Sequence, residues 1–125
     1  MKKKSNLSKI KKVLITGIMG SGGSYLAEYI LLNKKNIQVH GLSRWHSTSS
    51  NNNIKKIKNK IKIHECDLND FSSIINLLNI VKPDIIFHMA SYANVRASFI
   101  TPASVLNNNI IGTSNLFEAI RISKI

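Results

Sequence analysis

Apolar residues fall along the 125-residue chain in two patterns, short continuous runs and longer helical stripes. The runs are short and rich in β-branched residues, as is typical of strands buried on both faces. They predict four strands, at residues 12–16, 37–42, 60–67 and 84–90. The stripes repeat every three to four residues and predict three amphipathic helices. These are expected at residues 24–34, at 70–80, and from Pro102 to about Ser123.

Each predicted helix has one apolar face. The residues expected on these faces are, in chain order, Leu26, Ala27, Ile30 and Leu31; Phe71, Ile74, Ile75 and Leu78; and Leu106, Ile110, Phe117 and Ile120. Asn69 or Asp70 is suited to cap the second helix. The segments 43–53 and 91–102 are predicted as loops, and Asn51, Asn52 and Asn53 as ordinary loop residues.

Strands that alternate with helices predict an α/β fold, a doubly wound parallel sheet with helices on both faces. The chain stops at Ile125, at the end of a predicted helix, where this architecture continues with a strand. We therefore expect a sheet that is truncated after about four strands.

Composition narrows the class of protein. Hydrophobic residues make up 43% of the chain, which is too many for a disordered protein. The one cysteine, Cys66, excludes an internal disulfide and favours a reducing compartment. No apolar stretch reaches membrane-spanning length, and the basic N-terminus lacks the apolar core of a signal peptide. We expect a cytoplasmic protein that does not bind membranes.

The net charge of +12 comes largely from two lysine clusters, six lysines in residues 1–12 and five in residues 55–62. Neither cluster contains an aromatic residue for base stacking. Solvated lysines are favoured over a nucleic-acid surface, and no nucleic-acid partner is expected. A basic nucleic-acid binder stays as the third-ranked hypothesis.

The strongest candidate for chemistry is the glycine spacing Gly17-x-x-Gly20-x-x-Gly23 between the first strand and the first helix. Glycines there let the backbone approach a pyrophosphate, and the helix N-terminus offers free N–H groups. A tight turn without a ligand is the alternative. No carboxylate follows the second strand, where one would hold a ribose, and Arg44 stands there instead. A guanidinium suits a 2′-phosphate, which favours NADP over NAD, although NAD stays possible.

With these motifs placed, the chain resembles the N-terminal half of an extended short-chain dehydrogenase/reductase. These are the NAD(P)-dependent sugar-nucleotide epimerases and dehydratases, and the opening ITGIMGSGGSYLAE most resembles GDP-mannose 4,6-dehydratases. The resemblance extends from Lys12 to the end. It implies a basic segment over residues 1–11 and the N-terminal part of an NAD(P)-binding Rossmann domain over residues 12–125.

The resemblance implies a set of cofactor-binding residues. It assigns the diphosphate loop to Gly17, Ile18, Met19, Gly20, Ser21 and Gly22, which Gly23 extends. It places Arg44 at the 2′-phosphate, Asp67 and Leu68 at the adenine, and Met89, Ala90, Ser91 and Asn109 along the cofactor, which makes fourteen cofactor-binding residues. Asn109 also begins an Asn-x-x-Gly-Thr signature, which Gly112 and Thr113 complete. Where the dehydratases usually have an acidic residue, this chain has Gly22. Where they often have a second arginine, it has Trp45. Asn109 is more typical of epimerases and reductases.

No catalytic residue is expected within the chain, since the family's Tyr-x-x-x-Lys pair is absent. Tyr25, Tyr29 and Tyr92 do not fit that spacing, and packing in the first helix explains Tyr25 and Tyr29. His64, Cys66 and His88 have too few neighbouring ligands for a metal site. His88 is interpreted as a satisfied interior histidine.

Two further hypotheses follow from the resemblance. In the first, which is ranked highest, the chain is the cofactor-binding portion of an NADP-dependent sugar-nucleotide 4,6-dehydratase, or alternatively of a 4-epimerase or reductase. Such an enzyme removes a hydride from the sugar C4 and returns it. That parent would be a homo-oligomer whose substrate domain lies beyond Ile125. In the second, the chain is a non-catalytic dinucleotide-binding or redox-sensing module.

Overall fold

The structure is a computed structural model that describes residues 9–44 and 51–125. The first lysines of the basic segment, Trp45 and most of the predicted loop 43–53 lie outside the described residues. Every predicted strand and helix is present, with ends shifted by up to three residues.

The strands are β1 (Lys12–Thr16), β2 (Gln38–Ser43), β3 (Ile61–Glu65) and β4 (Ile85–His88). The α-helices are α1 (Ser21–Asn33), α2 (Phe71–Val81), α3 (Val95–Ile100), α4 (Pro102–Leu106) and α5 (Gly112–Ser123). A π-helical segment, Asn107–Ile111, joins α4 to α5 without a break. Two short 3₁₀ turns, Asn51–Ile54 and Lys58–Lys60, precede β3.

The four strands form one parallel sheet in the order β3-β2-β1-β4. Alternate residues of β1 point to opposite faces, so Val13 and Ile15 join one apolar cluster and Leu14 joins the other. The first cluster packs against α1, and the second packs against α2 and α5. The predicted doubly wound α/β fold is therefore confirmed.

The sheet is buried unevenly. Residues 13–16 of β1 are buried, whereas every residue of the edge strand β4 is only half-buried. The apolar sequence of β4 predicts cover on both faces, and among the described residues that cover is partial.

The segment predicted as a loop at 91–102 contains the helix α3, so that prediction is wrong. The Asn94 side chain accepts a hydrogen bond from the Ala97 amide at 2.9 Å and caps the helix. An asparagine N-cap was the available signal. The predicted cap of α2 is confirmed, because the Asp70 side chain accepts a hydrogen bond from the Ser72 amide at the start of that helix.

The predicted apolar face of the last helix is also wrong in part. Leu106, Ile110 and Phe117 are exposed, while Leu116 and Ala119 are buried against α2. The π segment places an extra residue in one turn, which shifts the helix faces after it.

The first helix begins at Ser21, three residues earlier than predicted, so Gly22 and Gly23 belong to its first turn. Tyr25 is 72% exposed and Tyr29 is 62% exposed. Packing therefore does not explain these tyrosines.

Candidate functional site

A cleft of about 240 Å³ opens at the carboxyl ends of β1, β2 and β4. Parallel strands of an open sheet commonly leave such a crevice where neighbouring connections run in opposite directions. The cleft is lined by Gly17, Met19, Gly20, Leu42, Ser43, Arg44, Asp67, Leu68, Met89, Ala90, Ser91 and Asn108. Nine of the fourteen residues predicted for cofactor binding are among them.

The glycine loop forms the floor of this cleft. Gly17 has a φ of 67°, and a Cβ there would lie 2.7 Å from the Ala90 Cα. The Gly20 amide donates to the Gly17 carbonyl at 3.0 Å and closes the turn. Gly23 packs against the same loop, since a Cβ there would lie 2.8 Å from the Ile18 Cα. Both positions therefore require glycine, one for its backbone conformation and contacts and one for its contacts.

The loop leads directly into the N-terminus of α1, with Gly20 as the N-cap residue. The first turn of α1 contains no acidic residue. Its unpaired N–H groups and the helix dipole therefore favour an anion at this end of the cleft.

Met89 lies beside this first turn. A Cβ on Gly22 would come within 3.0 Å of the Met89 Cε, so the missing side chain of Gly22 leaves room for the thioether. A larger side chain at position 22, such as the acidic residue expected there from the family resemblance, would contact Met89.

The charged groups among the described lining residues are Arg44 and Asp67. Arg44 is exposed, and its Nη1 lies 3.4 Å from the Asn108 Oδ1. The Asp67 carboxylate accepts from the Asn69 amide at 2.9 Å and so turns the chain after β3. The cleft thus has a cation beyond β2 and a carboxylate beyond β3.

Five predicted residues do not line the cleft. Ile18 is fully buried and packs against Gly41, and Gly23 is buried under the loop. Ser21 and Gly22 are exposed on the first turn of α1. Asn109 lies behind the wall, where its side chain accepts from the Tyr92 amide at 2.7 Å and donates to the Tyr92 carbonyl at 3.3 Å.

Three lining residues, on β2 and in the π segment, are not among those predicted from the sequence. Leu42 and Ser43 line the cleft because they end β2, and Asn108 lines it where Asn109 was expected. Leu42 and Ser43 could have been predicted from their position at the end of a strand. The choice between Asn108 and Asn109 depends on the π segment, which the sequence pattern does not show.

Asn53 was also missed. Its Nδ2 donates to the Met19 carbonyl at 2.9 Å, and the next residue, Ile54, is buried in the first apolar cluster. The prediction that Asn53 is an ordinary loop residue is wrong, since it holds the glycine loop from across the β2–β3 connection.

His88 is hydrogen-bonded through both ring nitrogens, to Thr16 and to Thr113, so its interpretation as a satisfied histidine is confirmed, although the residue is half-buried rather than fully interior. Burial raises the pKa of the Cys66 thiol, which keeps it protonated and unreactive at neutral pH. Within residues 9–44 and 51–125, no three His, Cys, Asp or Glu side chains group closely enough to hold a metal ion. None of the helices there is long and apolar enough to cross a membrane.

Comparison with solved structures places the fold among sugar-nucleotide epimerases. The UDP-Glc/GlcNAc 4-epimerase of Campylobacter jejuni is 28% identical, with a TM-score of 0.80 over 91% of this chain and 34% of its own. The UDP-glucose 4-epimerase of Thermus thermophilus, solved in complex with NAD, is 27% identical. Its TM-score is 0.78, and the match covers 91% of this chain and 35% of that one.

Sequence comparison gives a more specific family. The GDP-mannose 4,6 dehydratase of Drosophila melanogaster is 36% identical over 91% of this chain and 30% of its own length. The GDP-mannose 4,6-dehydratase of Yersinia enterocolitica is 36% identical over 91% of this chain and 32% of its own. The chain thus spans about a third of these relatives. The family model for GDP-mannose 4,6 dehydratase matches residues 14–125. The chain therefore belongs to the GDP-mannose 4,6-dehydratase family.

Proposed function

We propose that the chain is the cofactor-binding portion of an NADP-dependent sugar-nucleotide 4,6-dehydratase. The observation that carries this proposal is the Gly17–Gly20 turn. It opens the N-terminus of α1 to the cleft and leaves no room for a Cβ at Gly17. Such a turn accepts the backbone approach of a diphosphate.

The residues around the cleft fit a dinucleotide. The glycine loop and the first turn of α1 would hold the diphosphate, and Asp67 with Leu68 would lie at the adenine. Met89, Ala90 and Ser91 would follow the cofactor toward its nicotinamide. When bound, NADP supplies a hydride acceptor for the sugar.

Arg44 is the residue that would distinguish NADP from NAD. Its guanidinium is exposed beyond β2, and its one hydrogen bond among the described residues is a long one, of 3.4 Å, to Asn108. It is therefore available for paired, charge-assisted hydrogen bonds to a 2′-phosphate.

This assignment is tested by calorimetric titration of NADP and NAD into the wild-type chain and Arg44→Gln. We expect the variant to lose about 10- to 100-fold in NADP affinity, the value of a hydrogen-bonded charge, and to keep its NAD affinity within about threefold. Arg96→Gln on α3, outside the cleft, is the matched control and should bind both as the wild type does. An equal loss for both cofactors would contradict the role of Arg44.

A 4-epimerase or reductase of the same fold is the second candidate. It is favoured by the NAD-bound epimerase structure at 27% identity. A wild-type chain that prefers NAD in the same titration would support it.

We also propose that residues beyond the 125 of this chain bind the nucleotide sugar and include the catalytic Tyr-x-x-x-Lys pair. The chain's span of about a third of its relatives supports this. Reading the coding sequence past codon 125 tests it. A Tyr-x-x-x-Lys after a further strand would make this the cofactor half of an enzyme, and an immediate stop codon would favour a binding module.

A further inference from the structure

His88 ends β4 immediately before two residues of the cleft wall, Met89 and Ala90. Its Nδ1 lies 2.7 Å from the Thr16 Oγ1, and its Nε2 lies 2.9 Å from the Thr113 Oγ1. The ring therefore connects the central strand β1 to the helix α5 through the edge strand.

The directions of these hydrogen bonds follow from what Thr16 already accepts. The amides of Met89 and Ala90 both donate to the Thr16 Oγ1, at 3.1 and 3.0 Å. A hydroxyl has two acceptor sites and one proton, so the Thr16 proton is left for the His88 Nδ1. The neutral ring then carries its proton on Nε2 and donates it to Thr113. The Thr113 hydroxyl in turn donates to the Asn109 carbonyl at 2.6 Å.

This chain of hydrogen bonds holds both ends of the wall segment 89–92. Thr16 holds the start, through the amides of Met89 and Ala90. Asn109 holds the end, through the amide and carbonyl of Tyr92. His88 and Thr113 connect Thr16 to Asn109, so the two contacts belong to one hydrogen-bond network.

The position of this segment decides the space at the glycine loop. The Ala90 backbone is the group that a Gly17 Cβ would strike, so the two backbones are already in close contact. A small displacement of residues 89–92 therefore changes the cleft.

We propose that His88 is a positioning residue of the cofactor cleft, and that protonation of its ring weakens cofactor binding. This inference rests on the proposed function, since it assumes that the cleft takes a dinucleotide. A cationic ring must donate from Nδ1, but the Thr16 oxygen facing it has no free acceptor site. Protonation therefore displaces either the Thr16 hydroxyl or the two amides that it accepts.

The surroundings of the ring keep it neutral. Burial holds the pKa of His88 below its usual 6.5, and no charge contributes to the shift among the described residues. The hydrogen-bond partners of the ring are the Thr16 hydroxyl from β1 and the Thr113 hydroxyl from α5, and neither is charged. The effect on binding is thus expected only as the pH falls below about 6.5.

The test measures the dissociation constants of NADP and NAD for the wild-type chain and His88→Phe at pH ~8 and ~5. At pH ~8 we expect His88→Phe to bind about tenfold more weakly, since the aromatic ring fills the space without its hydrogen bonds. Wild-type affinity should fall toward pH ~5, and the variant should fall less. His40→Leu, which removes a buried histidine of β2 that does not line the cleft, should keep the wild-type pH dependence of binding. NAD serves as the second probe because it lacks the 2′-phosphate, which itself titrates near pH ~6.

Nuclear magnetic resonance of the free chain separates this inference from the proposed function. The ring nitrogens should show the Nε2–H tautomer near neutral pH, and the amides of Met89 and Ala90 should exchange faster in His88→Phe. A wild-type chain that binds neither cofactor overturns the proposed function, while the tautomer and exchange still test the positioning role. An Nδ1–H tautomer, or unchanged exchange and affinity in the variant, overturns the inference. If His88→Phe does not fold, the isosteric Thr113→Val removes the hydroxyl that connects His88 to Asn109, and it should also weaken cofactor binding.

Discussion

Gly20 and Gly23 belong to the same sequence motif but have different physical requirements. A methyl group on Gly23 would meet the backbone of Ile18 and Gly17, which cannot move without opening the loop. A methyl group on Gly20 would meet the Gly17 carbonyl oxygen at 3.3 Å and no other atom closely. The motif spacing therefore marks one packing position and one tolerant position.

We expect Gly23→Ala to lower the free energy of unfolding by about 2–3 kcal/mol, the cost of overpacking. This loss exceeds the gain of about 1 kcal/mol that alanine brings in a helix. Gly20→Ala should cost about 1 kcal/mol or less, because it changes an N-cap glycine. Urea unfolding of both variants beside the wild type measures the difference. Equal midpoints for the two variants would contradict the packing role of Gly23.

Asp67 and Asp70 show how two identical residues near the start of one helix differ. Asp70 caps α2 and is absent from the cleft lining, whereas Asp67 lines the cleft and turns the chain before the helix. We expect Asp70→Ala to destabilise the chain by about 1 kcal/mol, the usual value of an N-cap, with cofactor affinity unchanged.

Asp67→Ala is the matched variant for that prediction. It should weaken cofactor binding by more than Asp70→Ala does. Thermal unfolding and cofactor titration of the two variants give both quantities. A loss of affinity in Asp70→Ala as large as in Asp67→Ala would contradict this division of roles.

The sequence predicts the regular elements better than their irregular connections. The apolar runs that predict β1 to β4 and the stripe of α2 reflect burial on a sheet, which depends on residue type and spacing alone. The helix α3 starts at a cap formed by Asn94 and is only six residues long, too short for a repeating apolar pattern to predict it. The π segment, which turns Asn108 into the cleft and Asn109 away from it, depends on tertiary contacts that no local pattern records.

At the scale of the whole molecule, strand alternation and the glycine turn together predict where the cleft forms, because parallel strands all end at one edge. What they do not predict are contacts between distant segments. Asn53 reaches Met19 across 34 residues, and His88 reaches Thr16 across 72. Such pairs become visible only when the register of the sheet is known.

The same sheet buries a histidine that should set the acid stability of the molecule. His40 on β2 is 5% exposed, and its Nδ1 lies 2.9 Å from the His64 Nε2. Its own Nε2 has no partner among the described residues. Burial, and then the positive charges of His64, Lys62 and Lys12, lower the pKa of His40 to about 4.

The pKa of His40 in the folded chain lies below the 6.5 of the unfolded chain. Between pH 6.5 and about 4, His40 is therefore protonated in the unfolded chain but neutral in the folded chain. The free energy of unfolding should thus be at its full value above pH 6.5 and fall as the pH drops through this window. A shift from 6.5 to about 4 corresponds to roughly 3 kcal/mol. Urea unfolding at several pH values, in enough salt to screen the net charge, measures the loss. His40→Leu should make the profile less steep between pH 6.5 and about 4, with a smaller slope left by His64 and His88, whose pKa values burial also lowers. A variant that loses stability as steeply as the wild type would show that His40 does not control the profile.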